Sequence, residues 1–360
     1  VEASSELNDT YAAVNLIDGD TSTALLLAPA LRFAVERLWR FDGADRPLSW
    51  QLVTGTTLLE GWIQKLPRFV AAYFLLYLLL WSFIVAGALI SASGLAAHAI
   101  FPSVSVASWG VIHSVAAVLI VWFGGYCHIE LMFIVVLVCA ALLLPDAGEL
   151  FRGIFLPSLP DGSIVFVLGV IGGVGGSVTV MSYGYWIREK RWQGSEYIKQ
   201  CRTDLSVAYI LTGLFGLSVM IIAAGVRPEV VQGSKMILAV ADHLESRVGE
   251  YGSWLFLAGF WGAVFSSMIG VWDGIPYLFT DFVYSSKRKT AVVEVDSYAK
   301  TPYYRAYLLY LAVPPMLLLP LGKPVWIVVM YSVAGAFFMP FLAVLLIYMN
   351  NRRDWLKTFR

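Results

Sequence analysis

The chain has 360 residues, of which 59% are apolar and 14% are charged. A typical soluble domain is about 45–50% apolar and about 25% charged. The mean hydropathy of +0.72 therefore excludes an ordinary soluble enzyme. The 25 basic and 25 acidic residues cancel, which excludes a basic nucleic-acid binder and an acidic disordered tail. The composition predicts an integral membrane protein.

The N-terminal segment, residues 1–45, differs from the rest of the chain. Val1–Asp20 is polar and acidic, with no initiator Met and no apolar signal-peptide core. Ala24–Trp39 is apolar but charged in places, which fits the end of a helix, an interfacial helix or a damaged span. We expect the chain to be a fragment, or its first residues to be foreign to the membrane-embedded part.

Eight apolar stretches reach or approach the length of about 20 residues that a helix needs to cross a bilayer. None shows the alternation of barrel strands, so each is predicted to be a helix. The eight stretches are Phe69–Ile100, Ser108–Gly125, Ile129–Leu144, Ser163–Ile187, Leu205–Val226, Gly252–Tyr284, Tyr304–Leu321 and Val325–Met349. The predicted fold is an all-α membrane bundle, with a transmembrane domain at 46–352 and a tail at 353–360.

The basic residues are distributed unevenly between the two sides of this predicted bundle. Four regions that an eight-span topology places on one side hold 20 of the 25 Lys and Arg residues. These regions are Arg32–Arg68, Arg188–Arg202, Lys287–Arg305 and Arg352–Arg360. Because Lys and Arg concentrate in cytoplasmic loops, both ends of the transmembrane domain are predicted to face the cytoplasm.

The fourth predicted span contains a glycine-rich stretch, with five glycines among the eight residues 169–176. Glycine is about 1 kcal/mol less favourable than alanine inside a helix, so the stretch favours a break. A broken helix exposes backbone carbonyls, from which many transporters build ion sites. The alternative is a face of small residues for helix packing. The polar and sulfur-containing residues that follow favour the first interpretation, with Gly176, Thr179, Met181 and Ser182 as the candidate ligands.

Few ionisable residues fall within the predicted spans. Asp273 lies in the sixth span and is expensive to insert, so it is a candidate for a proton pathway or a gate, or else lies near the cytoplasmic interface. Asp281 is nearer the end of that span and is expected at the interface. His98 and His113, on the predicted outer side, titrate near neutral pH by type and are further proton-pathway candidates. A structural role is the alternative for both histidines.

No combination of residues typical of an active site is present. The sequence lacks a Ser-His-Asp grouping, a phosphate-binding loop and an HExxH motif. The charged stretch Arg227–Glu250 is closer to an amphipathic connector than to a catalytic domain. The sequence therefore predicts neither an enzyme nor a bound cofactor.

Several segments together resemble the Nramp (natural resistance-associated macrophage protein) family of divalent metal transporters, in particular its divergent bacterial branches. They are Leu52–Trp62 for the loop after the second helix, Gly172–Trp186 for the broken sixth helix, Arg202–Leu205 for the start of the seventh, Ser266–Phe282 for the eighth, and Tyr331–Phe341 with Asn350–Arg352 for the tenth. The resemblance implies an inverted-repeat bundle of the leucine-transporter type. It also implies that the first helix and most of the second are missing, unless Ala24–Trp39 is a remnant.

The family's Met-Pro-His-type motif in the sixth helix is not intact in this chain. One alignment places Thr179 at the Met position, Val180 at the Pro position and Met181 at the His position. A shift by two residues instead places Met181 at the Met position. Either alignment changes the ligand set, so the resemblance leaves Mn²⁺, Fe²⁺ and Mg²⁺-like ions open.

The resemblance implies a secondary transporter that moves a divalent cation inward, coupled to protons, by alternating access. Its partners would be the metal ion, protons and the lipid bilayer, and its location the bacterial inner membrane. Two alternatives stay open. One is a carrier of amino acids or organic cations on the same scaffold, and the other is a membrane scaffold without transport activity.

Overall fold

The computed structural model describes residues 56–123, 164–173, 178–190, 192, 194–225, 235–287 and 295–351. Within these ranges the regular structure is entirely helical, which confirms the predicted all-α fold. The α-helices, numbered in chain order, are α1 (Leu58–Lys65), α2 (Arg68–Ile100), α3 (Val106–Trp122), α4 (Ile164–Gly173), α5 (Thr179–Glu189), α6 (Ile198–Gly225), α7 (Lys235–Val248), α8 (Glu250–Lys287), α9 (Pro302–Ala312) and α10 (Pro324–Asn351). Three 3₁₀ helices cover Ser195–Tyr197, Val295–Lys300 and Pro314–Leu321.

Four helical segments in the described ranges are long and apolar enough to cross a membrane. They are α2, α8, Pro302–Leu321 and Pro324–Leu346, and the shorter apolar helix α3 accompanies them. The predicted fifth span falls within α6 up to Gly225, and the described parts of the fourth belong to α4 and α5. Three parts of the chain lie outside the described residues: residues 1–55, the predicted span Ile129–Leu144 and the tail.

Helix α2 lies at the centre of the bundle and packs against α3, α8 and α10. Its inner side contributes Phe74 and Leu78, which are fully buried. Its outer side carries Leu76 and Leu80, each 59% exposed. Large exposed apolar side chains along a span fit a surface in contact with lipid, since the bilayer removes the cost of leaving them outside the core.

Tyrosine hydroxyls link α2 to its neighbours through hydrogen bonds inside the bundle. Tyr307 of α9 donates to the Ser82 hydroxyl at 2.9 Å, and Tyr310 donates to the Leu79 carbonyl, also at 2.9 Å. Tyr77 of α2 donates to the Ala334 carbonyl of α10 at 3.1 Å. Hydrocarbon offers no hydrogen-bond partners, so a buried hydroxyl in a membrane bundle needs a partner within the protein.

The predicted amphipathic connector contains helix α7. Val240, Ala241 and Leu244 of α7 are buried, while Asp242 and Glu245 are exposed. The apolar side packs against α8. The spacing of one, three and four residues between the buried positions is that of a helix with one apolar face.

Helices α4 and α10 approach each other closely at two glycines. A Cβ atom added at Gly172 would collide with the carbonyl oxygen of Ser332, and one added at Gly335 would lie 2.9 Å from the carbonyl oxygen of Gly172. Only glycine allows the two backbones to come this close. The packing interpretation of the glycine-rich stretch therefore holds at Gly172.

We expect Gly172→Ala to lower the stability of the protein, because the added methyl group meets backbone atoms that cannot rotate away. The cost of such overpacking is about 1–3 kcal/mol. The measurement is the midpoint of thermal unfolding in detergent. Gly169→Ala, three residues earlier on the same helix, is the control, since its Cβ would meet its nearest atom at an ordinary 3.8 Å. Equal midpoints for both variants would contradict the close approach.

Candidate functional site

Helix α5 begins inside the predicted fourth span. Val178 lies in a turn and the helix starts at Thr179, whereas residues 174–177, with the candidate Gly176, lie outside the described residues. Helix α4 packs mainly against α10, and α5 packs mainly against α8. The two described parts of this span therefore have different neighbours.

The first residues of α5 carry two of the predicted ligands into the protein interior. Met181 is 6% exposed and packs within the main apolar core. Ser182 is 3% exposed, and its hydroxyl has no hydrogen-bond partner among the described residues. The structure describes the backbone of Thr179 but not its side chain. Buried hydroxyls are usually hydrogen-bonded. In the described residues the buried hydroxyls of Ser91 and Ser93 on α2 also lack a partner, and of these three serines Ser182 is the one among the predicted ligands.

Ser182 lies against α8 at the residue that follows Asp273. A Cβ atom added at Gly274 would be 3.2 Å from the Ser182 hydroxyl oxygen, so glycine is what lets α5 come this near. Asp273 itself is half-buried, and its backbone carbonyl accepts a hydrogen bond from the Tyr304 hydroxyl at 3.2 Å. The structure thus brings the Asp273–Gly274 segment next to the predicted ligand Ser182.

The two predicted proton-pathway histidines lie elsewhere and are bonded to neutral groups. The Nδ1 atom of His98 is 2.7 Å from the Val104 carbonyl oxygen. His113 Nδ1 is 2.7 Å from the Trp109 carbonyl, so this nitrogen carries the proton. His113 Nε2 accepts a hydrogen bond from the Trp261 indole at 2.7 Å. Trp261 is about 18 Å from Asp273 along α8, at about 1.5 Å per residue.

A buried carboxylate, Asp281, is the main polar feature that the sequence analysis missed. It lies near the C-terminal end of α8 and is 0% exposed, because hydroxyl groups from three other segments surround it. Its Oδ2 atom accepts hydrogen bonds from Thr57 at 2.6 Å and from Tyr185 at 2.7 Å. Its Oδ1 atom accepts longer ones from Tyr298 at 3.2 Å and Ser285 at 3.3 Å. We call these five residues the Asp281 cluster.

An ion pair adjoins the Asp281 cluster. Arg188 of α5 is 3.4 Å from a carboxylate oxygen of Glu60 in α1, and Glu60 is 2% exposed. The other oxygen of Glu60 accepts the backbone N–H of Thr57, while the Thr57 hydroxyl accepts the N–H of Glu60. This reciprocal capping box starts α1 and orients Thr57 towards Asp281.

The electrostatic effect of the cluster is visible at Tyr298, which lies after α8 in the 3₁₀ helix Val295–Lys300. Burial and the nearby charge of Asp281 raise the pKa of Tyr298 well above its ordinary value. Its phenol therefore keeps its proton at physiological pH, and it remains a donor to the carboxylate.

The sequence contains a signal for only one part of this cluster. The pattern Thr57-Leu-Leu-Glu60 is a capping-box signature that predicts a helix start. The partners of Asp281 carry no such signal, because Thr57 and Tyr185 are 224 and 96 residues away along the chain. Only the folded bundle brings them together.

With this geometry in place, comparison with known proteins decides the family. The family profile described as natural resistance-associated macrophage protein-like, Nramp, matches residues 51–360. The chain belongs to the Nramp family. No curated protein matches the chain at a significant level. Nramp proteins are multi-pass membrane transporters for divalent metal ions and not enzymes, in agreement with the composition and with the apolar helices.

We expect Ser182→Ala in this Nramp protein to leave the unfolding midpoint unchanged or slightly raised, because the substitution removes a buried hydroxyl without a partner in the described structure. The matched control is Ser114→Ala, which loses a buried hydroxyl that donates to the Ala312 carbonyl at 3.2 Å. Loss of this hydrogen bond lowers the free energy of unfolding by about 1 kcal/mol. A clear destabilisation by Ser182→Ala would show that this hydroxyl has a structural partner.

Proposed function

We propose that this Nramp protein is a proton-coupled secondary transporter that moves a divalent metal cation inward by alternating access. Family membership supports transport of divalent metal ions. The observation that carries the site assignment is the buried Ser182 hydroxyl without a described partner, at the start of a helix that begins within a span. A buried polar atom left without a partner suits a position that a passing ion occupies.

The metal would bind next to the first turn of α5. In this proposal the ligands are the Thr179 and Ser182 side chains, the Met181 thioether and the backbone at Gly176. The resemblance adds a carboxylate from the family's first helix. A thioether favours soft transition metals, whereas hydroxyl and carbonyl oxygens suit Mg²⁺ and Mn²⁺. The ion selected therefore depends on whether Met181 or its polar neighbours contact it.

The orientation of the protein follows from its basic residues. The bias of Lys and Arg supports a cytoplasmic position for the Arg188 end of α5, the Lys287 end of α8 and the C-terminus. The proposed location is the bacterial inner membrane. The metal site then lies between the outer side and the Asp281 cluster, which is near the cytoplasmic ends of α5 and α8.

The proposed ligands predict the outcome of an uptake experiment in proteoliposomes. We expect uptake of Mn²⁺ or Mg²⁺, and a loss of about ten-fold or more in kcat/KM for the double variant Thr179→Val and Met181→Ala, equal to about 1.4 kcal/mol of lost stabilisation. Met330→Ala is the control, because Met330 is 41% exposed on α10.

Unchanged uptake in the double variant would remove the site assignment. Uptake of an amino acid in place of a metal would favour the carrier hypothesis. If neither metals nor amino acids enter and the protein is folded, the scaffold hypothesis replaces transport.

The proton-coupling part of the proposal singles out Asp273 over His113. We expect Asp273→Asn to reduce the proton influx that accompanies metal uptake by about ten-fold. The reason is that the asparagine amide, unlike a carboxylate, does not bind and release a proton near neutral pH. We expect His113→Gln to preserve that influx, since both nitrogens of His113 already bond to neutral groups. The measurement is the pH change inside vesicles loaded with a fluorescent indicator. A normal influx in Asp273→Asn would exclude this residue from the proton pathway.

A further inference from the structure

Arg305 lies on the outer side of α9, the side that faces away from the bundle core. It is exposed, and Leu309 and Val313 follow it at intervals of four residues, with 48% and 58% of their surfaces exposed. Residues four apart share one face of a helix. The opposite face, which carries Tyr304 and Leu308, is buried. A cation therefore stands at one end of a strip of exposed apolar side chains.

Helix α3 presents a matching strip that ends in Trp122. Leu119 and Trp122 are 51% and 41% exposed, and they lie three residues apart. Helices α3 and α9 run side by side in opposite directions, because Ser114 donates to the Ala312 carbonyl at one level and Trp122 contacts Arg305 at another. We call the surface formed by the two strips the α3–α9 seam. Its six members, all exposed, are Val115, Leu119, Trp122, Arg305, Leu309 and Val313.

The contact between Arg305 and Trp122 holds the guanidinium without using its hydrogen-bond donors. The central carbon of the guanidinium is 4.7 Å from the centroid of the Trp122 ring. This cation–π contact is an attraction between the charge and the ring, so the N–H groups stay available. Among the described residues, no carboxylate pairs with Arg305 and no acceptor receives a hydrogen bond from its side chain.

The chemistry of this seam matches that of a phospholipid. A charged side chain beside hydrocarbon is costly unless it is paired, so an unpaired arginine there calls for an anion. The guanidinium fork fits the oxygens of a phosphate group, to which it donates two parallel hydrogen bonds. Tryptophan is enriched at the level of the lipid headgroups. A phospholipid combines a phosphate for the arginine with acyl chains for the apolar strips.

The unpaired charge also selects among phospholipids. A zwitterionic headgroup carries its own cation, which already compensates its phosphate. An anionic headgroup has no such cation, so its attraction to Arg305 is larger.

We infer that the α3–α9 seam binds one anionic phospholipid, whose phosphate accepts hydrogen bonds from Arg305 and whose acyl chains lie along Leu119 and Leu309. Trp122 is a positioning residue in this site, since it orients the guanidinium. The inference is independent of the cargo, because every residue in it lies on the outer surface of the bundle.

The test measures which lipid is in contact with the seam. In the full chain, Cys127, Cys139 and Cys201 are replaced by alanine and Leu309→Cys is labelled with a bimane fluorophore. This position is about 6 Å from Arg305 along the helix axis. The protein is reconstituted in vesicles that contain brominated phosphatidylglycerol or brominated phosphatidylcholine. Bromine quenches the fluorophore on contact, so the two quenching curves give the binding constant of the anionic lipid relative to the zwitterionic one.

We expect a relative binding constant of about five at the Leu309 reporter, which corresponds to about 1 kcal/mol for one basic residue at an anionic headgroup. Arg305→Gln is expected to lower it to about one, and Arg305→Lys to retain most of it, since lysine keeps the charge. Arg68→Gln is the matched control and is expected to leave the constant unchanged. Arg68 is an exposed arginine at the start of α2, and no described aromatic ring is stacked on it.

A second reporter shows whether the preference belongs to the seam. Phe337 is 65% exposed on α10, and α10 contains no Lys or Arg. With Phe337→Cys as the only labelled position, we expect a relative binding constant of about one, because the lipid there meets apolar side chains alone.

The variants decide the result as follows. A preference for phosphatidylglycerol that disappears in Arg305→Gln and persists in Arg68→Gln supports the site. Equal quenching by the two brominated lipids in the parent overturns it, and so does a preference that survives Arg305→Gln. If Arg305→Gln is not recovered in a folded form, Trp122→Leu replaces it, with a reduced preference in support and an unchanged one against.

Two other occupants of the seam give different results. If inorganic phosphate added to the vesicles removes the preference, the seam binds a free anion and the lipid assignment is wrong. If neither lipid quenches the Leu309 reporter while both quench the Phe337 reporter, another protein surface covers the seam, which also overturns the inference.

Discussion

The hydrocarbon interior of the bilayer offers no hydrogen-bond partners, and the described structure follows from that constraint. Each span that the structure describes is helical, because a helix satisfies its own backbone groups. Several polar side chains within the bundle find partners on neighbouring helices, as Tyr307 does at Ser82 and His113 does at Trp261. The buried hydroxyl of Ser182 finds none among the described residues, and the same is true of Ser91 and Ser93 on α2, so its place beside Asp273 and Gly274 is what distinguishes it.

Helices α5 and α8 show two uses of the same constraint along a single contact. Near Gly274 the contact is close and leaves a polar atom available, which suits transient binding of an ion. Near Asp281 the contact is saturated, with four hydroxyls directed at one carboxylate, which suits a bond network that is either complete or broken.

The glycines of the fourth span differ in their surroundings, and residue type alone does not separate them. Gly172 is required for the backbone contact between α4 and α10, whereas Gly169 on the same helix has room for a side chain. The helix that follows starts afresh at Thr179 with a different neighbour. The close approach at Gly172 shows packing as one role of the stretch, and the predicted break falls on residues 174–177, which lie outside the described residues.

The apolar composition and the lengths of the apolar stretches determined the fold class, the membrane location and the helices α2, α3, α8 and α10, because long apolar helices depend on local pattern alone. The sequence did not determine the surroundings of Asp281, which lies near a helix end but is enclosed by Thr57 and Tyr185 from distant parts of the chain. The sequence also did not show that both ring nitrogens of His113 form hydrogen bonds. Burial and hydrogen bonding of these groups arise from contacts between segments far apart in sequence, so only the tertiary structure decided them.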